Sequence, residues 1–190
     1  MSSERTTPAA TLAPDAPQVP SREQRDEHGR RIAVTFESDR FRRISSTADL
    51  WLVALDGSGH SLHALNEAIE LAVERGVTAL DLVTVHHWLS TEAAETELPL
   101  RGWATTADAR ALLDARGFGW RLHVLMGEPA ARIVELAESL HSRGIVVGAR
   151  GLSAFDGLLL GSVALQVIHT ARAPVLVVRT PVAHEERTPC

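Results

Sequence analysis

The chain has 190 residues, 45% of them apolar, and a formal charge of −5, which fits one globular domain with a tail and argues against a nucleic-acid footprint. All 19 basic residues are arginine, which excludes the lysine chemistry of P-loops, PLP enzymes, kinases and phospho-receivers. Cys190 is the sole cysteine, no apolar run reaches bilayer length, and the polar start lacks a signal-type apolar region, so a cytoplasmic protein with no membrane span is expected.

Residues 1–48 read as a disordered arm. Pro8, Pro14, Pro17 and Pro20 lie among Ser, Thr and Ala, and a charge-balanced run follows from Arg22 to Arg31. Within it, Ile32, Val34 and Phe36 alternate with Ala33 and Thr35, so Arg31 to Phe36 can also form an extended piece docked on the domain. The domain itself is expected over 49–180, with 181–190 as a tail.

From Leu50 onward strands and helices alternate. Leu50 to Leu55 is a continuous apolar run, as a strand buried on both faces requires. The Asp56-Gly57-Ser58-Gly59 turn leads into a helix over His60–Arg75, which Gly76 stops. Leu80 to Val85 reads as the second strand. Thr91 to Glu97 is acidic and expected to be loop, and Ala107 to Arg116 a short helix with Thr106 as its cap. Trp120 to Met126 alternates apolar with Arg121 and His123, which predicts a third strand at a sheet edge. Pro129 opens the next helix at the position proline favours. Ile145-Val146-Val147 is a fourth strand, and Pro174 to Arg179 holds a fifth. The pattern predicts an α/β fold: a five-stranded parallel sheet in the order 3-2-1-4-5 with helices on both faces, Rossmann-like, its ligand site beyond the strands' carboxyl ends. In that order Asp56 and Gly148 end the two strands that flank the switch in winding direction.

After the fourth strand the chain runs Gly148-Ala149-Arg150-Gly151, nine residues, then Gly161-Ser162. Glycines on a strand–loop–helix junction present bare backbone N–H groups and a helix N-terminus, which together favour an anion. Ser162 can cap that helix or bind phosphate oxygen.

The spacing Gly-x2-Gly-x9-Gly-Ser resembles the ATP-binding signature of universal stress proteins. The likeness covers Leu50 to Arg179 and includes Asp56, Gly127-Glu128-Pro129, the stretch Leu158 to Val163 and the closing Ala-Pro-Val-Leu-Val-Val-Arg. It implies an adenine nucleotide alpha hydrolase-like fold that binds ATP, with Mg2+ or Mn2+ accompanying the nucleotide. On that likeness Asp56 lies near the ribose or the metal, and the Val85 backbone meets adenine. Gly148 and Gly151 pass under the ribose and α-phosphate, while Gly161, Ser162 and Val163 hold the outer phosphates. Arg150 either meets a phosphate or faces water. Ala54 and Ala149 depart from the family's common Pro and Ser/Thr. The likeness also implies a homodimer through Val175, Leu176, Val177 and Val178.

Other roles stay open for the same residues. Asp56 can simply cap its helix, and the glycines can serve the turn alone. Trp88 can cover adenine or pack under its loop. His60, His63, His86 and His87 invite a metal site, but without cysteines or tight acidic spacing they read as separate histidines. Three functions follow: a nucleotide-binding stress-response regulator, which is the expectation adopted, a slow ATPase or phosphoryl-transfer enzyme, and a nucleotide-free interaction module.

Overall fold

A computed structural model describes residues 18–47, 49–151 and 160–180. The tail 181–190, the first seventeen residues of the arm and Leu158-Leu159 lie outside the described residues. One sheet of seven strands organises the molecule, in the order β1-β2-β5-β4-β3-β6-β7. These are β1 (Arg22–Arg25), β2 (Arg31–Glu37), β3 (Trp51–Ala54), β4 (Ala79–His86), β5 (Gly119–Met126), β6 (Gly144–Gly148) and β7 (Val175–Val178). The last five are mutually parallel, with β3 beside both β4 and β6.

Helices cover both faces, because strands buried on two sides leave no solvated face. On one face α1 (Gly59–Glu74), α2 (Thr91–Thr105) and α3 (Ala107–Ala115) bury Leu65, Ile69, Leu98 and Leu113 against Val53, Leu82 and Leu122. On the other, α4 (Pro129–Ser139) and α5 (Ser162–Thr170) bury Ile133, Val134 and Val167 against Leu52, Val83, Ile145 and Val147. The connection after β3 and the one after β6 therefore run over opposite faces, and the switch lies between these two strands. Among the described residues no helix is long and apolar enough to cross a membrane.

Several expectations are corrected. The sheet has seven strands rather than five, because β1 and β2 form an antiparallel hairpin that pairs with β5. Over Arg22–Glu37 the arm is thus part of the sheet, and the docked extended piece is what forms there. Val34 and Phe36 are fully buried, and Phe36 meets the Trp103 ring edge-on at 5.1 Å between centroids. The strand Gly119–Met126 is consequently interior, not an edge. Its alternation has another cause: Arg121 and His123 face Asp81 of β4, a carboxylate only 1% exposed. Arg121 grips Asp81 through two hydrogen bonds at 2.7 and 3.1 Å, and His123 Nε2 stands 3.6 Å from the same carboxylate.

Thr91 to Glu97 is helical, not loop. Ser90 caps α2 by accepting from the Ala93 amide, and Ala94, Leu98 and Trp103 turn inward. Pro99 lies inside this helix and has no amide to give the Glu95 carbonyl four residues back. Arg31 of β2 supplies the missing donor, its Nη1 reaching that carbonyl at 2.5 Å. Arg25 and Arg31 also pair with the Glu95 carboxylate, so the hairpin is fastened to α2 where proline interrupts it. Thr106 does not cap α3, because its hydroxyl donates back to the Gly102 carbonyl.

Candidate functional site

Beyond the carboxyl ends of β4, β3 and β6, between the N-termini of α4 and α5, lies a cleft of about 520 Å³. That is within the roughly 300–1,000 Å³ usual for small-molecule sites. It gathers all eight residues singled out in the sequence: Asp56, Val85, Gly148, Arg150, Gly151, Gly161, Ser162 and Val163. Its two ends differ chemically. At the β4–α4 end Val83, Val85, Pro129 and Ile133 give an apolar wall. At the β6–α5 end the glycine loop and the first turn of α5 expose backbone, with Arg150 beside them.

Asp56 ends β3 in a tight turn. Its Oδ1 accepts from the Ser58 amide at 3.0 Å and the Ser58 hydroxyl at 2.6 Å. Ser58, not Asp56, caps α1, accepting from the Ser61 amide at 3.1 Å. Asp56 therefore holds the capping residue, and its Oδ2 points towards Gly151.

The three glycines have different physical reasons. A Cβ on Gly151 would lie 2.5 Å from Asp56 Oδ2, and one on Gly148 would lie 3.0 Å from the His60 carbonyl oxygen. At Gly148 the crowding atoms are backbone, whereas at Gly151 the Asp56 carboxylate tip would have to swing aside. At Gly161 the nearest atoms to a Cβ would be the Ala149 carbonyl oxygen at 3.5 Å and Arg150 Cα at 3.6 Å, ordinary contact distances. Its backbone, φ −73° and ψ 156°, suits any residue. Among the described residues, packing thus leaves room for a Cβ at Gly161, and the bare position opens the first turn of α5 to the cleft.

Gly161 N–H is already used, donating to Ala149 O at 2.7 Å. The donors left at the cleft are the amides of Ser162, Val163 and Ala164, which open the helix and have no intrahelical acceptor. Ser162 makes no cap bond of its own, since Gly161 is the N-cap residue. The loop is anchored on its other side by Ala149 N–H, which donates to Val178 O at 2.7 Å.

Ser61, His87, Pro129 and Ile133 also line the cleft and were not singled out as site residues. Pro129 and Ile133 carried a signal as the buried stripe and first position of a helix, but only the sheet order brings that helix to the cleft. The four histidines weighed as metal ligands do not assemble: among the described residues no three His, Cys, Asp or Glu side chains gather as a metal-binding group. His60 Nδ1 instead lies 2.6 Å from the Thr180 hydroxyl.

Comparison with known proteins matches residues 51–179 to the universal stress protein family. Universal stress protein Rv1996 of Mycobacterium tuberculosis is 33% identical over 145 residues, covering 68% of this chain and 44% of that protein. This chain thus spans less than half the length of that curated relative. Among solved structures, a universal stress protein in complex with cAMP is 29% identical with a TM-score of 0.56, covering 72% of this chain and all of that one. The universal stress protein of Archaeoglobus fulgidus in complex with dAMP is 27% identical with a TM-score of 0.53, covering 70% of this chain and 98% of that one. The match spans every parallel strand and the whole cleft: the chain belongs to the universal stress protein family.

Proposed function

We propose that this protein binds ATP in the cleft at the switch point and acts as a nucleotide-dependent stress-response regulator in the cytoplasm. The observation that carries this is Gly161, a position where backbone and the described neighbours leave room for a Cβ, yet bare where α5 opens into the cleft. An anion drawn to the Ser162 and Val163 amides and the helix N-terminus needs that room. The apolar wall at Val85, Pro129 and Ile133 suits a purine, and Asp56 suits a ribose hydroxyl or a nucleotide-bound Mg2+ or Mn2+. The cAMP and dAMP complexes of the two neighbouring structures support the adenine nucleotide class. The cleft offers Arg150 and Ser162 towards phosphates but no lysine, so the second function, slow ATP hydrolysis, has less behind it.

On this reading 49–180 is the nucleotide-binding unit. Two copies pair antiparallel through β7, whose Val175, Leu176 and Val177 are only half-buried at the sheet edge. The test is Gly161→Asp, which sets a carboxylate against the phosphates at a position whose Cβ meets the described neighbours only at ordinary contact distance. Wild-type protein gains thermal stability with ATP and the variant gains none, while their melting temperatures without ligand stay close. An equal ATP shift in both would overturn the assignment.

A further inference from the structure

The hairpin lies outside the family match, yet its turn reaches the same end of the sheet as the cleft. β2 runs antiparallel to β5, so its first residues stand beside the carboxyl end of β5, where Leu125 pairs with Ala33. The turn is self-braced. Asp26 Oδ1 accepts the His28 and Arg30 amides, each at 3.0 Å, and Oδ2 takes Arg30 Nε at 2.9 Å and Nη2 at 2.8 Å. This fixes the Arg30 guanidinium over the Trp88 ring, 4.7 Å from its centroid.

Trp88 is 56% exposed and follows His87, which lines the cleft. Behind the indole stands the β5–α4 turn: a Cβ on Gly127 would lie 3.7 Å from Trp88 Cζ2. That turn is tied to β4 by Gly127 N–H donating to His86 O at 3.0 Å, and two residues on it delivers Pro129 to the cleft wall. Arg30 therefore presses Trp88 between the hairpin and the two segments that form the apolar end of the cleft. One turn into α2, Arg25 and Arg31 hold Glu95, so the segment from His87 to Glu95 is gripped by the hairpin at both ends.

We propose that Arg30 is a positioning residue for the base end of the cleft: held by Asp26, it clamps Trp88 and so fixes His87 and the Gly127–Pro129 turn where a purine would lie. This rests on the adenine-nucleotide reading above. By linkage, a bound base stabilises hairpin docking as much as docking strengthens base binding. The ligand class that feels the hairpin is one with a planar base; a bare polyphosphate, held at the glycine loop, does not.

Calorimetric titration of the full chain with AMP and with inorganic tripolyphosphate separates these. Arg30→Ala should weaken AMP about two- to fivefold, the size of an exposed cation–π contact passed on to the site, and leave tripolyphosphate unchanged. Arg30→Lys, which keeps a cation over the ring, should recover most of the AMP affinity. In a Trp88→Ala background Arg30→Ala should have no further effect. Equal AMP affinity in wild type and Arg30→Ala would overturn this inference alone, and so would a matching loss for both ligands. A wild type that binds tripolyphosphate but not AMP, or neither, would overturn the adenine reading and the inference together.

Discussion

Phe36→Ala is the sharpest test of whether the N-terminal hairpin belongs to the fold. Phe36 is fully buried, sits in the core shared by α1, α2 and α3, and meets Trp103 edge-on at 5.1 Å. Truncating such a ring removes its transfer free energy and leaves a cavity, about 3–5 kcal/mol together. A chain in which 22–37 were a solvated arm would lose under about 0.5 kcal/mol from the same change. Urea unfolding decides between them. With a slope of about 2 kcal/mol per molar, the expected loss moves the midpoint down by about 1.5–2.5 M. The change should appear in the midpoint with the slope retained, because a local cavity does not alter how much surface unfolding exposes. A midpoint within about 0.3 M of wild type at equal slope would refute the docked hairpin, and the Arg30 argument with it.

The remaining predictions concern charge and the free edge. Asp81→Ala strands the Arg121 guanidinium, whose side chain is only 18% exposed, and should cost about 3 kcal/mol in urea unfolding at pH 7, the low end for breaking a buried pair. Burial alone would raise the Asp81 carboxyl, but His123 and Arg121 hold it below its ordinary 3.8, so the pair's stability is present above that pH and is lost as acid protonates it. His86 behaves in a separate window. Burial, then the nearby charges of Arg101 and His87, lowers its pKa below 6.5, and its buried Nε2 has no hydrogen-bond partner among the described residues. The unfolded chain then binds the proton better, so this contribution is present above pH 6.5 and fades as pH falls below it. His86→Gln should flatten the stability loss between pH 7.5 and 5.5, and an unchanged slope would show the ring is solvated. Val177→Lys puts a charge on the β7 edge and should convert dimer to monomer by light scattering; an unchanged dimer would move the interface elsewhere.

Strands β3 and β6 were legible because a strand buried on both faces must be apolar throughout, and Leu52 to Leu55 or Ile145 to Val147 leave little else to be. The glycine spacing located the cleft for a similar reason, since backbone exposed at a helix N-terminus needs missing side chains. What hid the first strand is its chemistry. Arg22, Glu23, Gln24 and Arg25 are all exposed, and β1 is held by backbone pairing to β2, which a polar run does not advertise. Helix α2 was hidden by Pro99 and its acidic start. The donor that replaces proline's missing amide comes from Arg31, more than sixty residues away in sequence. Arg121 pointed to a sheet edge because its partner Asp81 lies forty residues back in the chain. Long-range pairing of this kind leaves no local periodicity. The glycines show the same limit: their spacing marked the loop, but only the distances to Asp56 and His60 separate Gly151 and Gly148, where a Cβ would be crowded, from Gly161, where the described neighbours leave it room.

The hairpin also changes what the sheet can do at its ends. A parallel sheet of five strands would leave two open edges, β5 and β7, and an edge of unpaired backbone recruits further strands. Here β5 is covered, and the new outer edge, β1, has the features that discourage pairing: four residues, three of them charged, with a register shift at Gln24/Arg25. The opposite edge keeps Val175, Leu176 and Val177, apolar and half-buried, beside the exposed Leu165 and Ile168 of α5. Pairing of two copies along β7, as proposed above, would therefore join the only receptive edges among the described strands and leave β1 outermost on both sides. An isologous contact of that kind closes on itself. The charged hairpin would then stop growth at two, and uncovering β5 by removing it would make a second receptive edge and open the way to longer assemblies.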